Sequence, residues 1–350
     1  MSGVTQRWLS LMAATVMLGT TVTAVALAHI TPVIGKFVDR EVAHWKASDS
    51  VYLYDGGYVD DTDYVLLDLL PGANHSKGGV FFIGDSQSRN ALMPWHLSPA
   101  EQELIHNYSI GDLHHRDQRL FVQMLVEEMG LLDAGPQNTT VILGISPNMA
   151  RPRDYHVSSY VSSSFERHGL FTYTFDEGMH RGKVSDLERS WRVARDYASR
   201  FVNIALGLRK SRVRPLNPQQ QTLEFNTEAD DWREAMDAEI VELTKLVDYL
   251  RARHVRVRAV IRPSASWKKR LPYERTYLQL VTPILAARDV PLIDQSNLLT
   301  DSDFVDDNHV KYPVQLRLHE IDRDIALREL SEMGLTLQAP PPPASSRSRN

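Results

Sequence analysis

Apolar residues recur in short blocks along the chain, and several of these blocks predict buried β-strands. The run Val80 to Ile83 is bounded by glycines. Thr139 to Ile145 is continuous rather than alternating, which is typical of a strand buried on both faces. An alternating strand is predicted at Val255, Val257, Ala259 and Ile261, and shorter candidates lie at Glu103 to Ser109 and Val290 to Ile293.

Between these strands, apolar residues recur at steps of three and four, the period of an amphipathic helix. The clearest helix begins at Asn226 or Thr227 and carries Met236, Ile240, Leu243, Val247 and Leu250. Other helices are predicted at Ser88 to Trp95, Arg116 to Leu132, Tyr273 to Ala287 and Val314 to Met333. Strands that alternate with helices favour an α/β fold, with right-handed crossovers and a mostly parallel sheet covered by helices on both faces.

Changes in composition along the chain indicate one α/β domain with further segments before and after it. We predict the domain at residues 76–335, preceded by an apolar leader at 1–28 and by a juxtamembrane linker and domain entry at 29–75. Residues 151–226 lack a clear period and are interpreted as an insertion that could cover the site. The Pro- and Ser-rich tail at 336–350 is predicted to be disordered.

The apolar leader carries no charged residue from Trp8 to Ala28 and is long enough to cross a bilayer as one transmembrane helix. An uncleaved signal anchor is the first interpretation. Ala26-Leu27-Ala28 resembles a signal-peptidase site, so a cleaved signal peptide is the second, and a buried soluble helix is the third. With Arg7 kept inside, the first two interpretations place the domain in the periplasm, either anchored by a single pass in the inner membrane or secreted after cleavage.

Overall composition is that of an ordinary folded protein. The 350 residues are 43% hydrophobic and 24% charged, with a formal net charge of -5, which argues against a partner such as nucleic acid. Cysteine is absent, which excludes disulfides, thiolate catalysis and cysteine-ligated zinc. We expect no cofactor and no metal.

Two distant polar motifs suggest nucleophilic chemistry. Gly84-Asp85-Ser86 follows the first core strand, and Asp306-Asp307-Asn308-His309 lies far downstream. Because turns at the carboxyl ends of parallel strands share one edge of a sheet, these motifs are expected to meet. Ser86 is then the nucleophile, His309 its general base and Asp306 the carboxylate that orients the histidine. Asp307 is a rival for the last role, and Asp85 could simply cap the following helix.

An acyl-transfer site also needs donors for the oxyanion of the tetrahedral intermediate. The candidates are the backbone N–H groups of Ser86 and Gly111 and the side chain of Ser146 or Asn148. These residues lie in turns that follow predicted strands.

Two further clusters allow a functional and a structural interpretation. Arg89 could bind a substrate phosphate or carboxylate, or it could lie on a solvated helix face. His114-His115 beside Asp112 suggests a metal site, but adjacent histidines usually point apart, so an exposed loop is the favoured interpretation.

The block Phe81-Phe82-Ile83-Gly84-Asp85-Ser86-Gln87-Ser88 and the late Asp-x-x-His resemble the first and last blocks of the SGNH (GDSL-like) hydrolases. This resemblance implies a flavodoxin-like three-layer sandwich with a Ser-His-Asp triad, and it places the second-block glycine at Gly111. The family's third block, Gly-x-Asn-Asp, is absent. In its place Gly144-Ile145-Ser146-Pro147-Asn148 resembles the DltD-like branch.

Proteins of that branch, and the related alginate-acetylation proteins, are membrane-anchored or exported. The resemblance therefore implies an extracytoplasmic acyltransferase or esterase that acts through a serine acyl-enzyme on acetyl or D-alanyl groups of a cell-envelope glycopolymer. A membrane-bound O-acyltransferase is the implied partner. The alternative is a noncatalytic protein that keeps the fold and recruits that acyltransferase.

Overall fold

The computed structural model describes residues 75–111, 113–151, 169, 171–174, 178–185, 187–188, 191–192, 232–304 and 308–337. Within these ranges the strands are β1 (Gly79–Ile83), β2 (Ile105–Asn107), β3 (Thr139–Ile145), β4 (Phe171–Thr174), β5 (Gly178–Arg181), β6 (Arg256–Ile261) and β7 (Leu292–Asp294). The α-helices are α1 (Ser86–Ala91), α2 (Pro99–Gln102), α3 (His115–Glu127), α4 (Trp232–Arg251), α5 (Ser266–Lys269), α6 (Pro272–Ala286) and α7 (Tyr312–Glu332).

Five of these strands form one parallel sheet in the order β2-β1-β3-β6-β7. Counted along the chain, this is the 2-1-3-4-5 order of a doubly wound, flavodoxin-like sheet. The predicted α/β fold with a mostly parallel sheet is therefore confirmed. The order reverses between β1 and β3, and in such sheets ligands bind at the carboxyl ends of the two strands that flank the reversal.

Both faces of the sheet are buried at β1, β2 and β3. In β1, Phe81 and Ile83 belong to the layer that packs against α3, α4 and α6. Val80 and Phe82 belong to the opposite layer, which packs against Ile325 and its neighbours on α7. Alternate side chains of a strand point to opposite faces, so a strand with helices on both sides has to be apolar throughout.

Element boundaries mostly agree with the sequence pattern. β3 has the predicted limits, and all of its residues are buried. The helix predicted at Arg116 to Leu132 begins one residue earlier and ends at Glu127, shortly before Gly130, whose φ of 70° is the left-handed conformation that glycine adopts readily. The first helix begins at Ser86 rather than Ser88, because the Asp85 carboxylate caps it.

Several predicted segments lie outside the described residues: the apolar leader, the linker to residue 74, most of the insertion, Asp112, Asp306, Asp307 and the tail from residue 338. In the described part of the insertion, β4 and β5 form an antiparallel hairpin whose Phe171 packs edge-on against Phe121 of α3. No helix within the described ranges combines the length and the apolar character that a bilayer span requires.

Candidate active site

The turn after β1 presents Ser86 at the edge of the sheet. Asp85 precedes α1, and its Oδ1 accepts the backbone N–H groups of Gln87 at 3.0 Å and Ser88 at 3.4 Å, which caps the helix. Gly84 approaches the helix so closely that a Cβ there would lie 2.4 Å from the Ser88 hydroxyl oxygen. Ser86 is the first helical residue and is only partly buried, whereas the residues on either side of it are buried.

His309 contacts Ser86, although the two residues lie far apart in the sequence. The His309 Nε2 lies 2.9 Å from the Ser86 Oγ, a hydrogen-bond distance, and 223 positions separate the residues. An antiparallel bridge between Phe304 and Val310 closes the loop that carries the histidine. When the histidine carries its proton on Nδ1, Nε2 is able to accept the hydroxyl proton.

The residue next to the serine holds the residue next to the histidine. The side-chain amide of Gln87 donates to the backbone oxygen of Asn308 and to that of Pro263, each at 3.1 Å. Gln87 is buried. One side chain therefore ties the helix that carries Ser86 to the loop of His309 and to the segment after β6.

The carboxyl end of β3 is hydrogen-bonded to the turn that carries Ser86. The Ser146 hydroxyl, which is buried, donates to the Asp85 Oδ2 at 2.6 Å, so its proton is directed at the carboxylate. The Asp85 carboxylate therefore joins the carboxyl ends of β1 and β3 across the reversal point of the sheet.

Asn148 lies two residues further, in the 3₁₀ turn Pro147–Ala150. Its amide nitrogen donates to the side-chain oxygen of Asn308, and the ammonium group of Lys268 donates to the side-chain oxygens of both asparagines. Neither Lys268 nor the side chain of Asn308 was singled out from the sequence.

Gly111 follows β2 and faces Arg89. The preceding residue, Ile110, donates its N–H to the Gly84 oxygen at 2.9 Å, which places this segment beside the nucleophile turn. A Cβ at Gly111 would lie 2.5 Å from the Arg89 Nη1, so the guanidinium packs against the glycine. Arg89 is 8% exposed, and the interpretation of a solvated helix face is therefore wrong.

The histidine pair is buried rather than exposed. His115 is fully buried, with Nε2 2.8 Å from the Tyr277 hydroxyl and Nδ1 3.2 Å from the side-chain oxygen of Gln118. His114 Nδ1 lies 3.5 Å from a Glu239 carboxylate oxygen. The predicted exposed loop is wrong because both rings have partners on helices that are distant in sequence.

The described residues contain no group of three or more His, Cys, Asp or Glu side chains suited to a metal ion. Asp112, the third member of the cluster noted in the sequence, lies outside them, as do Asp306 and its rival Asp307. The orienting carboxylate of the predicted triad thus remains a prediction.

Comparison with known proteins does not assign a family. No family model matches the chain, and no curated protein matches it. A solved structure from Bacteroides fragilis, named as a candidate acylhydrolase, is 10% identical over 78% of this chain and 95% of its own, with a TM-score of 0.37. The YxiM protein of Bacillus subtilis is 11% identical over 75% of this chain, with a TM-score of 0.34, and the match spans 58% of the YxiM chain. Likenesses this low establish neither a family nor an activity.

Proposed function

We propose that this protein is a serine-dependent esterase or O-acyltransferase of the SGNH type. The Ser86–His309 contact of 2.9 Å carries the proposal, because it pairs a hydroxyl with a base at the carboxyl ends of parallel strands. The Gly84-Asp85-Ser86 turn and the late Asp-x-x-His support the same chemistry.

In the first half-reaction the Ser86 oxygen attacks the carbonyl carbon of an ester, and His309 Nε2 takes the hydroxyl proton. When the tetrahedral intermediate collapses, the ester C–O bond breaks and the histidine returns that proton to the leaving alcohol. The acyl group remains on Ser86. Water or a sugar hydroxyl then attacks the acyl carbon and gives its proton to His309. The bond between the acyl carbon and the Ser86 oxygen breaks, and the histidine returns the proton to that oxygen, so hydrolysis and transfer differ only in the acceptor.

The oxyanion of the intermediate needs donors near Ser86. The first-turn N–H groups of a helix have no intrahelical acceptor, and the Asp85 carboxylate takes only those of Gln87 and Ser88, which supports the Ser86 N–H as one donor. The Gly111 N–H is the proposed second donor. Since the Ser146 proton is directed at Asp85, the Asn148 amide is the preferred third donor.

The proposed substrates are acetyl or D-alanyl esters of a cell-envelope glycopolymer, handled outside the cytoplasm beside a membrane-bound O-acyltransferase. The resemblance to the DltD-like branch and the apolar run from Trp8 to Ala28 support this location and partner. Arg89 remains the candidate for contacting an anionic group of the substrate.

The proposal is tested by mixing the full-length protein with p-nitrophenyl acetate and recording nitrophenolate release in a stopped-flow instrument. An acyl-enzyme predicts a rapid burst that scales with protein concentration and disappears in Ser86→Ala. If adding a glycopolymer acceptor increases the rate of nitrophenolate release after the burst, the acyl group is transferred to that acceptor. A wild-type protein without release above the Ser86→Ala baseline would favour the noncatalytic role instead.

A further inference from the structure

Lys268 is a buried lysine whose ammonium group contacts the proposed site. It lies on α5, directly after the segment that follows β6, and is 1% exposed. Its Nζ donates to the side-chain oxygen of Asn148 at 2.6 Å and to that of Asn308. The nearest Glu274 carboxylate oxygen is 3.8 Å away.

Burial of an ammonium group is costly unless acceptors replace its water. Glu274 replaces that water poorly. Burial raises the pKa of its carboxyl group, and the opposing effect of Lys268 and the other nearby donors is smaller, so the net pKa is raised. The two amide oxygens are the closer acceptors, so both asparagines are held to the cation.

An ammonium group has three donors and no acceptor, which decides how the amides are turned. If the Asn148 amide were reversed, its NH₂ group would face the cation, donor against donor. The favourable orientation puts the oxygen on Lys268 and turns the NH₂ group away from the cation. One N–H donates to the Asn308 oxygen, which Lys268 also contacts, and this leaves the second N–H of the amide to be directed elsewhere.

Asn308 directly precedes His309, and His309 contacts the Ser86 hydroxyl, so the Asn148 NH₂ group is linked to the reacting pair. We infer that Lys268 is a positioning residue: it orients the Asn148 amide so that one N–H points at the oxyanion formed on Ser86. The inference rests on the proposed function. It accounts for a side-chain donor at a position where the Gly-x-Asn-Asp block of the SGNH family is missing.

The test compares Lys268→Met, Asn148→Ala and the double variant in the full-length protein, with p-nitrophenyl acetate as substrate. Loss of one oxyanion donor lowers kcat by about 10²–10³. We expect a loss in that range for Asn148→Ala, with KM nearly unchanged, and a loss of at least about tenfold for Lys268→Met. The double variant should be no slower than Asn148→Ala, because Lys268 acts through that amide.

Lys269→Met is the matched control. This neighbouring lysine donates to Asn297 at 3.0 Å on the surface, and its removal should leave kcat unchanged. Melting curves recorded by circular dichroism show whether each variant folds. If Lys268→Met does not fold, Lys268→Gln takes its place. The glutamine amide offers an acceptor as well as donors, so it no longer fixes the orientation of the Asn148 amide, and a loss of kcat is again expected.

Failure of the proposed function and failure of this inference give different results. A wild-type protein that forms no acyl-enzyme on Ser86 overturns the proposed function and this inference together. If the wild-type protein does form the acyl-enzyme, two results overturn the inference alone. One is a folded Lys268 variant whose kcat stays within about twofold of wild type, and the other is a double variant in which the two losses of kcat multiply.

Discussion

Gln87 donates its side-chain amide to the backbone oxygen of Asn308 at 3.1 Å, across 221 positions of sequence. Because Gln87 follows the serine and Asn308 precedes the histidine, this bond sets the separation of Ser86 and His309. Gln87→Met keeps the shape but leaves the Asn308 and Pro263 carbonyl groups unpaired. We expect a loss of about 1–3 kcal/mol of unfolding free energy and a fall of about tenfold or more in kcat/KM.

Gln102→Met is the control for that experiment. The Gln102 amide also donates to two backbone oxygens, those of Pro94 and Leu97, but away from the site. Because Gln102 is exposed and water can replace its amide, urea unfolding should show a smaller loss of stability than in Gln87→Met, and ester hydrolysis should show an unchanged kcat/KM. An equal loss of activity in both variants would mean that Gln87 acts only through overall stability.

Gly144 is packed against α1 so tightly that no side chain fits. A Cβ there would lie 1.8 Å from the Ser88 hydroxyl oxygen and 2.6 Å from the Ser88 Cβ. We expect Gly144→Ala to destabilise the protein by about 3 kcal/mol, at the upper end for overpacking. Adding Ser88→Gly should recover part of that loss, measured by urea unfolding against Ser88→Gly alone. A Gly144→Ala protein of wild-type stability would contradict this close packing.

Arg262 and Asp322 form a fully buried ion pair beneath α1. The Arg262 Nη1 lies 2.6 Å from the Asp322 Oδ2, and its Nε donates to the Ser88 hydroxyl oxygen at 3.0 Å. Asp322→Ala leaves the guanidinium without its counter-charge and should cost about 3–5 kcal/mol of unfolding free energy. The double variant Arg262→Met with Asp322→Leu should lose less, because neither charge is then buried.

The exposed pair Arg288–Asp248, with a similar distance of 2.6 Å, provides the comparison. Asp248→Ala should cost less than about 1 kcal/mol, since solvent screens the pair. Denaturant titrations that gave equal costs for the two aspartate variants would contradict the role assigned to burial.

His115 predicts a pH-dependent contribution to stability. Burial lowers its pKa to about 4 in the folded protein, whereas the pKa of a histidine in the unfolded chain is about 6.5. Between these values only the unfolded chain takes up the proton, so this contribution is complete above pH 6.5 and is lost as the pH falls towards 4. The whole interval corresponds to about 3 kcal/mol.

The difference in unfolding free energy between wild type and His115→Gln isolates that contribution. Wild type alone is not sufficient, because burial raises the pKa of Asp117 to about 6, which favours the folded state as the pH falls over a similar range. Urea titrations at pH 7.5, 6.0 and 4.5 should show the difference shrinking with acidity. A constant difference would mean that His115 titrates alike in both states.

The sheet could be predicted from the sequence because its strands are buried on both faces. Thr139 to Ile145 was placed correctly, since helices on both sides demand a continuous pattern. The predicted strand Val290 to Ile293 differs from β7 by one or two residues at each end. Among the described strands β7 is the last in the sheet and pairs with β6, and its residues are not fully buried. A partly buried strand has a weaker hydrophobic pattern, so its limits are harder to predict.

The contact between Ser86 and His309 was also predictable, because Gly84-Asp85-Ser86 follows a strand and His309 closes an Asp-x-x-His motif. The supporting residues were not. Gln87 binds backbone oxygens, and Lys268 binds amides 120 and 40 positions away, so neither partner has a local signal in the sequence. The exposed loop predicted at His115 is wrong for the same reason, since Tyr277 lies 162 positions from it.

The most direct test of the account is covalent labelling of the nucleophile. The full-length protein is treated with a fluorophosphonate, which reacts with activated serine hydroxyls, and the modified residue is located by peptide mass spectrometry. We predict phosphonylation of Ser86, with no label on Ser88, and a rate that falls by about a thousandfold or more in His309→Gln. A label on another residue, or a His309→Gln protein that reacts at the wild-type rate, would contradict the account.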